Sequence, residues 1–567
     1  MPKYLKVILI GIIFLSVPSF VLADYHGQKV QFYIESGHDL ESREQTSATL
    51  RKITDQLYFY IDDDWWDSLD WDGAEEVRSS LDSLSLEFEN KIYLNLVSYF
   101  GPEWTPGIDN DRRITILIHP MVETVSGYFN PGDEYPKAQV LTSNEREMVY
   151  LNASRIGEPN AKSFLAHEFV HLITFNQKEK TYGIPEETWL NEARAEHAPT
   201  LLGYDDEYQG SNLQNRVKEF LKEPSDSLIG WRNLSSDYGV INVFFQYLVD
   251  HYGIKILVDS LHSGGIGIPS LDYTLEKNGF SENFQQIFTD WTIAILINDC
   301  SVGEKYCYLN PNLKNLKINP LIYFLPLVGE ATLNFGNSTQ NWSGNWHKFI
   351  GGSGHFSLEF SGSQEVDFKI PYLLVDKSNN YTVKFLELGQ GQKGILDISG
   401  FNSDIASLVI IPTIQSKTSD FGSFKNFYPY FWKASVIKQT EGEKEEELIE
   451  SLLAQIEYLQ NEIAKYQNLI AAILGDKSDC QSFENNLYYG MKDSTEVRCL
   501  QQFLRDQGAD VYPEGLVTGN FLTLTLQAVI RFQEKYKAEI LAPIGLEKGT
   551  GYFGFFTRQK AGKLIHR

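Results

Sequence analysis

The segment Ala166-His167-Glu168-Phe169-Val170-His171 constrains this chain more than any other. Two histidines four residues apart share a face only on a helix, so the stretch predicts a helix presenting both imidazoles to one point. Ser163, Phe164, Leu165, Leu172 and Ile173 give that helix a mixed apolar face, and Asn160 stands where an N-cap belongs. Glu192 follows His171 by twenty-one residues, within Trp189-Leu190-Asn191-Glu192-Ala193-Arg194-Ala195-Glu196. Glu192 and Glu196 repeat the four-residue spacing. A second helix laid against the first therefore aims two carboxylates at two imidazoles.

His167, His171 and Glu192 together have the composition of a catalytic zinc site, with three protein ligands and a fourth position open. Glu168, one residue beyond the first ligand, is placed to take a proton from an attacking water as general base and later to deliver it to a leaving amine. Glu196 either accepts a hydrogen bond from the far nitrogen of a ligating histidine, fixing its tautomer, or is a solvated helix carboxylate. Such a site needs no Ser or Cys nucleophile.

The two motifs resemble those of the zincins whose third ligand is a glutamate, the thermolysin-like group, and within it the hyicolysin-type metalloproteases. Further matching pieces are Asp109-Asn110-Asp111-Arg112-Arg113-Ile114-Thr115-Ile116-Leu117-Ile118, Gly127-Tyr128-Phe129-Asn130-Pro131-Gly132-Asp133, Asn144-Glu145-Arg146-Glu147-Met148-Val149-Tyr150-Leu151, and Asp237-Tyr238-Gly239. The resemblance covers roughly residues 55–295. It implies an α+β zincin that hydrolyses peptide bonds, with zinc in a cleft between its halves. One departure is Ala193-Arg194, where such families more often carry a pair like Gly-Leu; it bears on the cleft surface beside the third ligand. The resemblance also places Tyr238 where related enzymes donate a hydrogen bond to a developing oxyanion, a role that competes with simple packing. Met148-Val149-Tyr150-Leu151 reads as a strand at a sheet edge. An extended peptide or protein substrate can pair with such an edge, which favours endopeptidase action.

The N-terminus reads as a secretory signal over residues 1–23. Lys3 and Lys6 precede the apolar run Val7 to Val17, and Val21-Leu22-Ala23 forms a small-residue cleavage site before Asp24. This predicts a secreted protein; a retained membrane anchor is the alternative, disfavoured because the apolar run is short and broken by Pro18. The four cysteines fall into two local pairs, Cys300 with Cys307 and Cys480 with Cys499, and oxidation suits an exported chain. A net charge of −26 has the wrong sign for binding nucleic acid through its phosphates. Asp62-Asp63-Asp64 and Asp109-Asn110-Asp111 offer candidate calcium ligands, but neither completes an EF-hand pattern and both read as solvated turns.

The length calls for several domains. Residues 24–327 are expected to form the metallopeptidase domain. From 328 to 438, alternating runs such as His355-Phe356-Ser357-Leu358-Glu359-Phe360 and Tyr381-Thr382-Val383-Lys384-Phe385 suggest a β-sandwich. Its Trp342, Trp346, Tyr428, Tyr430 and Trp432 are either core or a binding face. Residues 439–477 hold a charged linker and a heptad stripe through Ile449, Leu452, Ile456, Leu459, Ile463, Tyr466, Ile470 and Ile473. The stripe leans towards a parallel homo-dimer, with a trimer or docking on its own chain as alternatives. Residues 478–567 resemble the small three-helix peptidoglycan-binding domain of bacterial wall enzymes, on residues including Leu500-Gln501, Phe503-Leu504, Gly519-Asn520-Phe521, Phe532-Gln533 and Gly551-Tyr552-Phe553-Gly554. That implies a partner in peptidoglycan or another cell-wall glycan. The longer loop from Ala542 to Gly549 departs from the compact form. The expectation is thus a wall-tethered zinc endopeptidase. A peptidoglycan crosslink hydrolase and a non-catalytic wall-binding or adhesive protein are the alternatives, and the intact His167, Glu168, His171 and Glu192 weigh against the last.

Overall fold

The computed structural model describes residues 23–327, 329–415, 427–437, 482–492 and 494–565. The expected signal segment as far as residue 22, the linker and the heptad stripe lie outside the described residues. The chain divides into two compact units, residues 1–440 and 441–567.

The first unit is built on a six-stranded sheet in the order β1-β2-β3-β4-β6-β5. Its strands are β1 (Lys29–Tyr33), β2 (Gln45–Ile53), β3 (Leu57–Asp62), β4 (Ile114–His119), β5 (Gly127–Tyr128) and β6 (Met148–Asn152). The parallel centre, β3, β4 and β6, is buried along its whole length. Strands covered on both faces read as unbroken apolar runs, as Leu57-Tyr58-Phe59-Tyr60-Ile61 does. Alternation then sorts the side chains into two cores. Leu57, Phe59, Ile61, Ile116, Ile118, Val149 and Leu151 join the helices, while Tyr58, Tyr60, Leu117, Met148 and Tyr150 pack with Phe32, Ala48 and Leu50 on the other face.

The edge beside the later helices is not β6. The two-residue β5 pairs antiparallel with β6 at Leu151 and Tyr150 and takes the edge position. This corrects the expectation for Met148–Leu151: a strand of four buried residues needs neighbours on both sides, and the chain supplies the second from Gly127 and Tyr128.

After β6 the unit is helical, with helices at Ala161–Thr174, Thr188–Leu201, Asn212–Lys222, Ser235–Tyr252, Lys255–Leu261, Gly267–Lys277 and Phe284–Ile297. Cys300 and Cys307 are disulfide-bonded just beyond. Cys499 is disulfide-bonded as well, and Cys480 lies outside the described residues.

A second sheet follows within the same unit, and its first strand, β7 (Leu321–Leu325), starts ahead of residue 328. One group of strands is β8 (Ala331–Thr339), β17 (Tyr428–Ile437), β10 (Gly354–Gly362) and β14 (Lys393–Phe401). The other is β13 (Tyr381–Phe385), β12 (Pro371–Asp376), β15 (Ile405–Ile410), β9 (His347–Gly351) and β7, with β11 (Phe368–Lys369) and β16 (Thr413–Ile414) forming a separate antiparallel pair. The groups join through a single pair, Phe401 with Ile405. Phe356, Leu358 and Trp432 of the first pack with Phe349, Leu408 and Ile410 of the second. Four of the five aromatic residues are core, Trp342, Trp346, Tyr430 and Trp432 being buried, while Tyr428 is half-buried against the cluster that holds Tyr430 and Trp432. Trp342 packs on Phe284 and Phe288, and Trp346 Nε1 donates to the Thr292 carbonyl at 2.9 Å. Two tryptophans thus fasten the second sheet to the last helix of the first part, and removing either ring costs about 3–5 kcal/mol.

The second unit carries helices at Thr495–Asp506, Thr523–Lys535 and Phe555–Ile565 around Leu500, Phe503, Leu504, Val529 and Phe532. It repeats itself at a 32-residue interval. Gln501 Oε1 accepts from the Thr518 and Gly519 amides, and its Nε2 donates to the Asn520 carbonyl and the Thr525 hydroxyl. Gln533 makes the same four bonds to Thr550, Gly551, Tyr552 and Thr557. In each half one buried amide side chain closes the turn that leads to the next helix, satisfying backbone groups that would otherwise be orphaned.

Candidate metal centre

The first motif occupies the helix Ala161–Thr174. Asn160 does not cap it with its side chain; its Nδ2 turns away to the Gly210 carbonyl at 3.0 Å, while its own carbonyl accepts from Ser163 and Phe164. The second motif lies on the helix Thr188–Leu201. The two helices pack so that the paired spacings mesh. His167 Nε2 is 3.2 Å and His171 Nε2 3.6 Å from Glu192 Oε2, and the two Nε2 atoms are 3.2 Å apart.

Glu192 Oε2 is buried and accepts no hydrogen bond. Two imidazole nitrogens and an orphaned carboxylate oxygen, all aimed at one point, fit a borderline-soft divalent ion that takes mixed nitrogen and oxygen ligands. Burial opposes the charge on Glu192, but His171 and His167 outweigh it and bring its carboxyl down to about 2.

The far nitrogens are held too. His167 Nδ1 lies 3.3 Å from Glu196 Oε1, and His171 Nδ1 3.2 Å from Asn191 Oδ1. Both contacts leave each Nε2 free to face the centre. Glu196 is itself gripped: Arg216 donates through Nη2 at 2.7 Å and Nε at 2.8 Å, and Asn212 Nδ2 at 3.0 Å. Although burial works against its charge, Arg216 and His167 hold Glu196 far below the usual carboxylate range.

Arg216 reaches this position because of a glycine. It stands on the helix Asn212–Lys222, whose N-cap Ser211 accepts from the Gln214 amide. That helix lies against Ser235–Tyr252 so closely that a Cβ on Gly239 would come within 2.6 Å of the Phe220 nitrogen. Only glycine permits the approach. Tyr238, its neighbour, is half-buried, with Arg216 over its ring at 4.7 Å and Trp231 edge-on at 4.8 Å. Its hydroxyl donates to Asn233 Oδ1 at 3.1 Å. Burial raises its pKa, and the charges of Glu192, Glu196 and Glu168 push the same way, which puts the phenol in the field of the centre.

Glu168 is 6% exposed, and burial raises its carboxyl pKa despite the pull of His167 and His171. Its Oε1 stands 3.1 Å from where Gly127 would carry a Cβ, so the strand β5 runs directly past it.

Arg194 is not on the cleft surface. It is fully buried, donating through Nη2 to Glu186 Oε2 and to Ser260 Oγ, both at 2.8 Å. Lys178 Nζ lies beside this pair, bonded to the carbonyls of Ser260, Ser263 and Gly265. The unusual residue after the third ligand is therefore a brace behind the helix.

Asn191, Arg216, Asn212 and Gly127 were not singled out from sequence. Asn191 had a signal, since it precedes Glu192 on the same helix. Arg216 had none, because it reaches Glu196 from another helix twenty residues on. The acidic triplet Asp62-Asp63-Asp64 holds no open ligand set: Asp62 caps its helix by accepting from the Trp65 amide and pairs with Arg43, while Asp63 pairs with Lys29.

No family model matches the chain. Among curated proteins, the neutral metalloprotease ShpI of Staphylococcus hyicus is 28% identical over 220 residues, which cover 34% of this chain and 47% of that protein. The chain is a distant relative of a metalloprotease. It spans about half the length of that relative. Among solved structures, the pre-peptidase C-terminal domain of a Bacillus anthracis collagenase matches at 7% identity and a TM-score of 0.15, over 20% of this chain and 96% of that one. A family GH115 4-O-methyl-alpha-glucuronidase matches at 7% identity and a TM-score of 0.12, over 58% and 52%. Similarity that low carries no argument. Among the described residues, no helix is long and apolar enough to cross a membrane.

Proposed function

We propose that this chain is an exported zinc metalloendopeptidase of the hyicolysin type, held at the cell wall by its C-terminal unit. The observation that carries the reading is the convergence of His167 Nε2, His171 Nε2 and the unpartnered Glu192 Oε2, with Glu168 one residue from the first ligand. Zinc bound there supplies Lewis acidity to the scissile carbonyl and an acidified water.

The residues do the rest. Glu168, with its raised pKa, takes the proton of the attacking water and passes it to the leaving amine. Glu196 and Asn191 keep the two imidazoles oriented. An extended substrate lies along β5, the edge strand that passes Glu168, and pairs with its free side. Tyr238 turns its hydroxyl from Asn233 to the oxyanion. The wall-binding role of the tail rests on its likeness to peptidoglycan-binding domains, and the same likeness supports a second reading in which the peptide crosslinks of peptidoglycan are the substrate.

The test is metal analysis joined to one substitution. The purified chain should hold about one zinc per molecule, and Glu168→Gln should keep it while losing peptide hydrolysis by several orders of magnitude. Near-normal turnover in that variant rejects the mechanism. Release of peptides from casein, against clearing of purified peptidoglycan, separates the two substrates.

A further inference from the structure

A second pair of acids lies outside this centre, with three of its four carboxylate oxygens buried and receiving no donor from another residue. Glu134 ends the short turn Pro131–Glu134 that follows β5, and Glu147 immediately precedes β6. Each is 3% exposed. Both oxygens of Glu134 are buried without a hydrogen-bond donor, and so is Oε2 of Glu147. Glu147 Oε1 alone is satisfied, by the Ile108 amide at 2.8 Å.

The Arg146 amide donates to the Asp133 carbonyl at 3.1 Å, which brings the next residues, Glu134 and Glu147, side by side with their carboxyls within hydrogen-bond reach of each other. Asp109 adds negative charge to both, and Asp133 adds to Glu134. Asp133 is itself occupied, accepting from the Tyr150 hydroxyl at 2.6 Å and the Asn144 amide at 2.7 Å. The nearby cation is Lys180, whose ammonium lies over the Trp104 ring instead of against either glutamate. The space is also shaped for the acids: Gly107 has φ +84°, and a Cβ there would fall 1.5 Å from Glu147 Oε2.

Two carboxylates buried in contact, with three oxygens lacking donors, are not stable as a charged pair alone. We propose that Glu134 and Glu147 bind one calcium ion, which ties the loop at Gly107–Ile108 and the turn after β5 to the start of β6. The ligands are all oxygen, and no histidine or cysteine takes part, which suits a hard ion and not zinc. Two carboxylates leave positions for backbone carbonyls and water, as calcium's six to eight ligands require. The ion braces the turn next to β5, the strand that runs past Glu168.

The experiment follows thermal unfolding of the full chain in buffer that keeps zinc constant. Adding millimolar Ca2+ should raise the midpoint by about 5 °C, with one ion bound by calorimetry and little response to Mg2+. The double variant Glu134→Gln, Glu147→Gln should fold, because it removes the repulsion, and should lose the calcium response. A calcium response that persists in the double variant overturns the proposal. So does a parent chain that ignores Ca2+ and gains stability only as the pH falls, the mark of a pair that shares a proton. Neither outcome depends on peptidase activity, so the zinc reading stands or falls separately.

Discussion

Glu196 and Glu134 are both buried glutamates in the same unit, and their surroundings are opposite. Glu196 has five nitrogen atoms around it, from Arg216, Asn212, Asn242 and His167. Glu134 has none. Burial raises the cost of charge on both. At Glu196 the donors reverse that cost and its pKa falls; at Glu134 nothing does, and Glu147 drives its pKa up further. The protein's own side chains complete the carboxylate that orients a metal ligand. The carboxylates beside the edge strand are left for something from solution. Burial alone therefore does not say whether a carboxylate is charged; the donors around it do.

The sharpest way to break this comparison is to take the donors from Glu196. Arg216→Met leaves a buried carboxylate without its cation, and loss of one partner of such a pair costs about 3–5 kcal/mol. His167 should then lose its fixed tautomer, and zinc affinity should fall about 10–100-fold. Denaturant unfolding and competition with a zinc chelator measure the two effects. If affinity holds while stability drops, Glu196 serves the fold and not the metal.

A control comes from Arg194, which makes a similar pair with Glu186 away from the centre. Arg194→Met should cost less, about 2–3 kcal/mol, because Lys178 and the Gly267 amide still face Glu186. Zinc affinity should not change. A fall in zinc affinity here equal to that of the Arg216 variant would mean that both act by general loosening of the second motif helix.

The parts of this picture that were legible in the sequence are those with a short period. The four-residue spacings of His167 with His171 and Glu192 with Glu196 specify two helix faces, and those faces do meet. The unbroken apolar run Leu57–Ile61 marks a strand covered on both sides. Long-range pairing was not legible. Nothing near Glu196 names Arg216, and nothing in Glu134 or Glu147 says that the twelve residues between them fold them together. Met148–Leu151 looked like an edge because two residues, Gly127 and Tyr128, are too short a strand to announce themselves. Arg194 looked like a cleft residue because its neighbour Glu192 is one, but two positions along a helix turn a side chain to nearly the opposite side. The 32-residue repeat of the tail was present in Gln501 and Gln533, yet its meaning lay in matching hydrogen bonds to turns seventeen and eighteen residues on.

The smallest expected effect tests the same rule at a third carboxylate. Asp39 is buried, which works against its charge. It nevertheless accepts from the Arg43 side chain at 2.8 Å and from the Arg43 and Glu41 amides at 3.0 Å, and these bonds bring its pKa down to about 2. The folded value lies below the unfolded one, near 3.8. The unfolded chain therefore binds the proton first, and the stability owed to this carboxylate is whole above about pH 4 and is lost as the pH falls towards 2. Asp39→Asn removes the titration. Its unfolding free energy should be lower than that of the parent at pH 6, and the gap should narrow between pH 4 and pH 2. A gap that stays constant through that window would show that Asp39 contributes through shape and hydrogen bonds alone. The contrast between donor-rich and donor-poor carboxylates would then not extend beyond the metal centre.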